Sequence, residues 1–237
     1  MAKRPPVFRT FTEAVEWFIT LGIVTREEAD ELTKAARAQA FWISNVAQMD
    51  VVQDVFNEIE RSLRLGLSLR DFKRSVAPKL YAAWGKADAW RLETIYRVNV
   101  MRAYNAGRYQ RLSTPRVKRL LPFRRWKSLL DLDTTSQCRG RHNKILPADD
   151  PWWDDNWPPI HYNCRSIVAP INRRRAERLG VATAQDKKDF APAQDGWGAS
   201  PAKAEFSEYK PKPDGKDPRL FSTMTQKVEA DAQLQSD

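Results

Sequence analysis

The chain has 237 residues, 42% hydrophobic and 30% charged, with 40 Lys and Arg against 30 Asp and Glu and a formal net charge of +10. Nine glycines exclude a collagen-like repeat, and charges interrupt every apolar run well short of the roughly 18 residues that a membrane-spanning helix needs. Two cysteines do not make a disulfide scaffold, and Pro5, Pro6, Arg9 and Glu13 fall where a signal peptide would carry its apolar segment, so a soluble protein made inside the cell is expected.

The first half reads as helices. Thr10 and Glu13 have capping-box spacing, and Phe11, Ala14, Val15, Phe18 and Ile19 form one apolar stripe that ends at Gly22. Thr25 and Glu28 repeat the cap before EEADELTKAARAQAFWISNVAQM, whose good helix formers favour a long continuation. Val51, Val52, Val55, Phe56, Ile59 and Leu63 mark another stripe closed by Gly66, and Ser68 with Asp71 opens a helix that contains Pro78. From about 87 to 112 the longest helix is predicted, about 39 Å at 1.5 Å per residue. Its apolar residues, Trp90 to Tyr109, point in nearly every direction, which predicts central packing. Gly107 weakens such a helix, so the close approach of another backbone is expected there.

The excess positive charge is confined to the middle of the chain. Residues 61–130 carry 18 basic and 3 acidic side chains, whereas residues 1–60 carry 6 and 10. Once folded, such a segment attracts polyanions: nucleic acid, an anionic membrane face or an acidic protein surface. The plainer alternative has its arginines solvated or paired with the acidic N-terminal segment. Arg91, Arg97, Arg102, Arg108 and Arg111 on the long helix, with Arg119, Arg124 and Arg125 beyond it, are the candidates for contact with DNA or a protein partner.

After Pro115, VKRLLPFRRWKSLL and CRSIVAPI read as short strands. Residues 147–161 have no period but hold four prolines and three tryptophans, which predicts an ordered irregular loop anchored by its aromatic rings. Residues 179–237 are polar and centre on PKPDGKDP, and are expected to form a tail or an arm that gains order against a partner. The organisation expected is a helical part over 1–85, a core over 86–178 and this tail; the fold class is α+β, mainly helical.

Every cysteine and histidine falls in one window: Cys138, His142, His161 and Cys164, spaced C-x3-H-x18-H-x2-C. Several readings are open. Tetrahedral zinc accepts a Cys2His2 set and would close the Pro- and Trp-rich loop. Cys138 and Cys164 could instead form a disulfide, or the four could pack as a hydrogen-bonded clamp. Catalysis is a further alternative, since Cys138 beside Arg139, Arg141 and His142 has the residue types of an activated nucleophile, and His142-Asn143 those of a metal-dependent nuclease. No phosphate-binding loop, dinucleotide fingerprint or H-E-x-x-H accompanies them.

The order of these features resembles the head-morphogenesis domain of the phage Mu F-like minor head proteins, over about residues 10–172. The resemblance is carried by R-x-N-x-x-x-A-x-x-x-G-R at Arg97, Asn99, Ala103, Gly107 and Arg108. It continues through Asp133, Thr135, Ser136 and Cys138 to P-P-x-H-x-x-C-R at Pro158, Pro159, His161, Cys164 and Arg165. Members of that family commonly place another cysteine after the C-R pair, where this chain has Ser166. The resemblance implies a virion component of the phage head, made in the host cytoplasm. Its partners would be the portal, the major capsid protein and packaged double-stranded DNA, without a membrane role or an enzymatic activity.

Overall fold

The computed structural model describes residues 11–32, 37, 40–43, 49–84 and 89–201. Helix α1, Thr12–Phe18, buries Ala14, Val15 and Phe18 of the expected stripe and also Trp17; Thr10, the expected cap, lies outside the described residues. The chain then enters β1, Gly22–Ile23, and α2, Arg26–Glu31, which opens with the expected capping box. The Thr25 hydroxyl accepts from the Glu28 amide at 3.2 Å, and the Glu28 carboxylate accepts from the Thr25 amide at 2.8 Å.

The long Ala-rich continuation of this helix is corrected by the structure. Leu32 is already extended, and Ala40–Phe41 form β2, which pairs in parallel with β1. Ala40 and Phe41 are fully buried there. Burial against β1 and the helices outweighs a helix preference worth tenths of a kcal/mol per residue.

Helices α3, Met49–Leu65, and α4, Leu69–Trp84, pack side by side. Gly66 takes φ +64°, letting the Leu67 amide reach back to the Ser62 carbonyl at 3.0 Å and finish α3. Pro78 lies within α4 without ending it. Phe18 stacks on Phe56 at 4.6 Å, and Phe41 meets both rings edge-on, so α1, β2 and α3 close on one aromatic centre.

Helix α5, Ala89–Ser113, runs past this centre and into a second one. Leu92, Ala103 and Ala106 belong to the N-terminal core, and Leu112 to the C-terminal core. The expected all-round packing has an exception at Trp90, which is 67% exposed beside a cavity of about 850 Å³ that Trp17, Trp42 and Arg102 also line. Gly107 does meet another backbone: a Cβ there would sit 2.6 Å from the Ala14 amide nitrogen of α1.

Residues 117–120, expected as part of a strand, form α6, Pro115–Leu120, because Pro115 at the first helical position fixes a helical φ. Strand β3, Phe123–Lys127, is the centre of a three-stranded antiparallel sheet in the order β4-β3-β5, with β4 at Ile145–Pro147 and β5 at Ile167–Ile171. Short helices fill the connections, α7, Ser136–Arg141, and α8, Trp152–Asp155, and two more follow β5: α9, Arg173–Leu179, and α10, Ala184–Lys188.

The loop expected from 147 to 161 is ordered by its indoles. Trp153 and Trp157 are 2% exposed and meet at 5.8 Å, beside the fully buried Trp126. The described part of the expected tail is not a free arm either. The Ala182 amide donates to Ile145, Gln194 to Ile160, and Ser200 to Asp154, so the chain is laid back on its own core up to residue 201. Residues 202–237 lie outside the described residues.

Candidate functional site

From Asn99 to Arg108 the motif on α5 faces inward, while Arg97 is exposed. The Asn99 amide is buried and donates to the Ile95 carbonyl at 2.9 Å. Arg108 uses two guanidinium nitrogens on one acceptor, the Val168 carbonyl of β5, at 3.0 and 2.6 Å, and lies over the Tyr104 ring. Between them the fully buried Asn105, which the sequence reading passed over, donates to the Ser166 carbonyl at 3.1 Å, and its own carbonyl accepts from the Trp157 indole at 2.9 Å. The helix is thus tied by polar contacts to the loop carrying the cysteine and histidine.

Three of the four expected Cys/His residues meet. Cys138 Sγ lies 3.0 Å from His161 Nε2 and 3.6 Å from Cys164 Sγ, with both sulfurs buried. His142 does not join them. Helix α7 ends at Arg141, and His142 turns out at its C-terminus so that Nδ1 accepts from the Ser128 amide at 3.1 Å. Burial, then the charges of Lys127 and Arg125, lower the His142 pKa. Nor do the loop aspartates join: Asp149 pairs with Lys118 and Asp150 with Lys187.

The elements around the cluster fix it from every side. Thr135 caps α7, accepting from the Cys138 amide at 3.3 Å, and its hydroxyl lies 2.9 Å from His161 Nε2. Ser136 is the first residue of α7, after that cap. Replacing Thr135 with Ala is expected to cost about 1 kcal/mol of stability, read as a lower urea midpoint. The peptide between Pro158 and Pro159 is cis, and the turn after it is closed by the Cys164 amide donating to the His161 carbonyl at 3.2 Å. Arg165 makes a two-nitrogen pair with Asp131, while Asp133, the motif residue, is exposed and supports Arg165 through its charge.

The contacts within the cluster favour the charged forms of Cys138 and His161. Hydrogen bonds from Cys164 first, then from His161 and Ser166, bring the Cys138 thiol down to about 4 against the opposing effect of burial. The same contact and burial push Cys164 up, and the Cys138 hydrogen bond raises His161. This pairing is chemically competent for nucleophilic attack, but Cys138 is 3% exposed and opens only to a recess of about 10 Å³. That space admits about one water and no substrate.

The arginines divide into two groups. Arg97 pairs with Glu93; Arg102 is bonded to the Ala40 carbonyl and lies over Trp17 and Trp42. Arg124 is 3% exposed between the Tyr109 and Trp157 rings and donates to Ser113, and burial lowers its pKa. Arg91 lines the cavity beside Trp90. Arg102, Arg108 and Arg124 are thus turned onto carbonyls, rings and a hydroxyl, whereas Arg97 stays exposed beside its carboxylate.

Arg111 and Arg119 are exposed. Arg125 joins a basic face that the sequence reading did not assemble: it and Lys127 both donate to the Asn143 side chain, at 2.7 and 3.1 Å. Burial, then the charges of Arg125 and Arg175, push the Lys127 pKa down. Among the described residues no carboxylate pairs with these three cations.

Comparison with known proteins matches this arrangement to one family. The family described as Phage Mu protein F like protein matches residues 53–169. The chain is 31% identical over 197 residues to the putative capsid assembly protein F of Escherichia phage Mu, a match covering 76% of this chain and 43% of that protein. It is 27% identical over 165 residues to the Mu-like prophage FluMu F protein of Haemophilus influenzae, covering 64% of this chain and 39% of that protein. The chain therefore spans about two fifths of the length of these curated relatives. No solved structure matches it. Since the matched stretch runs from α3 into β5 and takes in the α5 motif, the α7 cap and the Cys/His turn, the chain belongs to the phage Mu F-like family.

Proposed function

We propose that the chain acts in head morphogenesis of a tailed phage, as a component of the virion head that docks on the portal or the major capsid protein and turns its basic face to packaged double-stranded DNA. The observation that carries this reading is the match of its core to a protein named for capsid assembly. The cation group of Arg125, Lys127 and Arg175, with the exposed Arg174 beside it, supports the DNA-facing part. Like charges held this close repel one another, and a polyanion laid across them relieves that repulsion and releases its own counterions. The reading assigns the chain no catalysis, and the burial of Cys138 favours a structural part for the Cys/His turn.

The double variant Lys127→Glu with Arg175→Glu is expected to bind nonspecific duplex DNA about tenfold more weakly at low ionic strength, with a shallower salt dependence. An affinity that moves neither with these substitutions nor with salt removes the DNA-facing part. Binding of the wild-type chain to purified portal oligomers tests the docking part, which fails if the two do not associate at low salt.

A further inference from the structure

We propose that Cys138, His161 and Cys164 hold one Zn²⁺ ion, with a water as its fourth ligand. The donor atoms already stand at nearly the right separations. Zinc bound at about 2.3 Å to two sulfurs in tetrahedral geometry spaces them about 3.8 Å apart, and here they are 3.6 Å apart with His161 Nε2 at 3.0 Å from one of them. All three donor atoms lie within 4.8 Å of one another. A tetrahedral ion places an imidazole nitrogen about 3.5 Å from each sulfur, so seating it asks the ring to draw back by about half an ångström from the Cys138 sulfur.

Two further features orient the set. His161 Nδ1 lies 2.7 Å from the Tyr162 carbonyl, which can only accept, so Nδ1 carries the hydrogen and Nε2 is turned toward the sulfurs. The turn joining His161 to Cys164 has Asn163 in the left-handed region at φ +55°, which brings two side chains three residues apart to the same side. The short spacing of these two ligands is of the kind found in structural zinc sites. The fourth position faces the recess of about 10 Å³ bordered by Thr135 and Ser166, large enough for one water.

Binding displaces to solvent any protons that the two sulfurs and Nε2 carry. Two thiolates and a neutral imidazole then leave the divalent ion electrically balanced inside the core. The soft thiolate pair selects Zn²⁺ over Mg²⁺ or Ca²⁺. The ion would link α7 to the turn before β5, the same turn that Asn105 binds from α5 at the Ser166 carbonyl, with Arg108 holding β5 just beyond it at Val168.

The full chain, expressed with added zinc, purified under reducing conditions and dialysed against metal-free buffer, is expected to retain one zinc per molecule by elemental analysis. A mercurial thiol reagent should release that zinc as it titrates both cysteines. Cys138→Ser and Cys164→Ser should each lose it, and Ser166→Cys, which replaces the water with a third thiolate, should hold it at least about tenfold more tightly. Because the serine variants could fail to fold, cobalt substitution of the wild-type chain gives a second reading. Thiolate-to-cobalt charge-transfer bands with intense visible bands of a tetrahedral ion are expected. A folded, reduced chain that retains no zinc and gives no such bands overturns the proposal. So does zinc that persists in folded serine variants, or a Cys138–Cys164 disulfide in protein isolated without reductant.

Discussion

Replacing Trp157 with alanine is expected to cost about 4 kcal/mol of unfolding free energy, within the range of large-to-small changes at buried aromatic sites. The indole is 2% exposed, meets Tyr109 at 4.9 Å and Trp153 at 5.8 Å, and donates to the Asn105 carbonyl. It also forms one wall around the Arg124 guanidinium, which lies 5.2 Å from its ring and is largely out of water. Truncation therefore leaves a cavity and removes a cation–π partner from a buried charge. Trp157→Phe keeps a ring in the cavity and loses the hydrogen bond, and is expected to cost about 1–2 kcal/mol. Urea unfolding followed by far-ultraviolet circular dichroism separates the two; equal midpoints for Trp157→Ala and wild type would show that the indole does not hold this core.

Gly107→Leu should destabilise the chain by about 3 kcal/mol or more, because the new side chain meets α1 backbone and not a movable side chain. Even Gly107→Ala is expected to be unfavourable. Alanine gains about 1 kcal/mol of helix propensity, but its Cβ would sit 2.6 Å from the Ala14 nitrogen and 2.8 Å from the Glu13 carbonyl carbon. Gly140 provides the contrast, since a Cβ added there meets nothing within 4 Å. Gly140→Ala is accordingly expected to raise stability by about 0.5–1 kcal/mol. Thermal unfolding of the two alanine variants should give midpoints that move in opposite directions; a stabilised Gly107→Ala would mean that α1 does not cross α5 at this glycine.

The long helix and its crossing point were legible because their signals are local. A run of good helix formers spans α5, and an interior glycine has few uses other than a close approach. The two-residue strands β1 and β2 were not legible, since two residues have no period, and their pairing joins segments eighteen positions apart, Gly22 to Ala40. The Ala-rich stretch beside them promised helix by propensity. Its tertiary partners, Ile23 and the buried rings of Phe18 and Phe56, decide otherwise at Phe41.

The cluster was legible to the extent that its ligands are close in sequence. His161 and Cys164 lie on one turn, and Cys138 lies in the first half of α7. His142, four residues after Cys138, would share its face if α7 continued. The helix stops one residue earlier, and the imidazole turns to Ser128. Which arginines turn inward was not legible for another reason. Composition reports where positive charge occurs in the chain, but whether a guanidinium faces water depends on which carbonyl it meets, and Arg102 and Arg108 find theirs at Ala40 and Val168, some sixty residues away. The basic face at Arg125, Lys127 and Arg175 is assembled by β3 and α9, so no contiguous run announces it.

Head assembly with and without the chain is the most direct test. When its synthesis is blocked in the phage or prophage that encodes it, infectious DNA-filled heads should be lost. Supplying the wild-type chain in trans should restore them, with the chain detectable by mass spectrometry in the purified heads. An undiminished yield of filled, infectious heads in its absence would contradict a part for this chain in building the phage head.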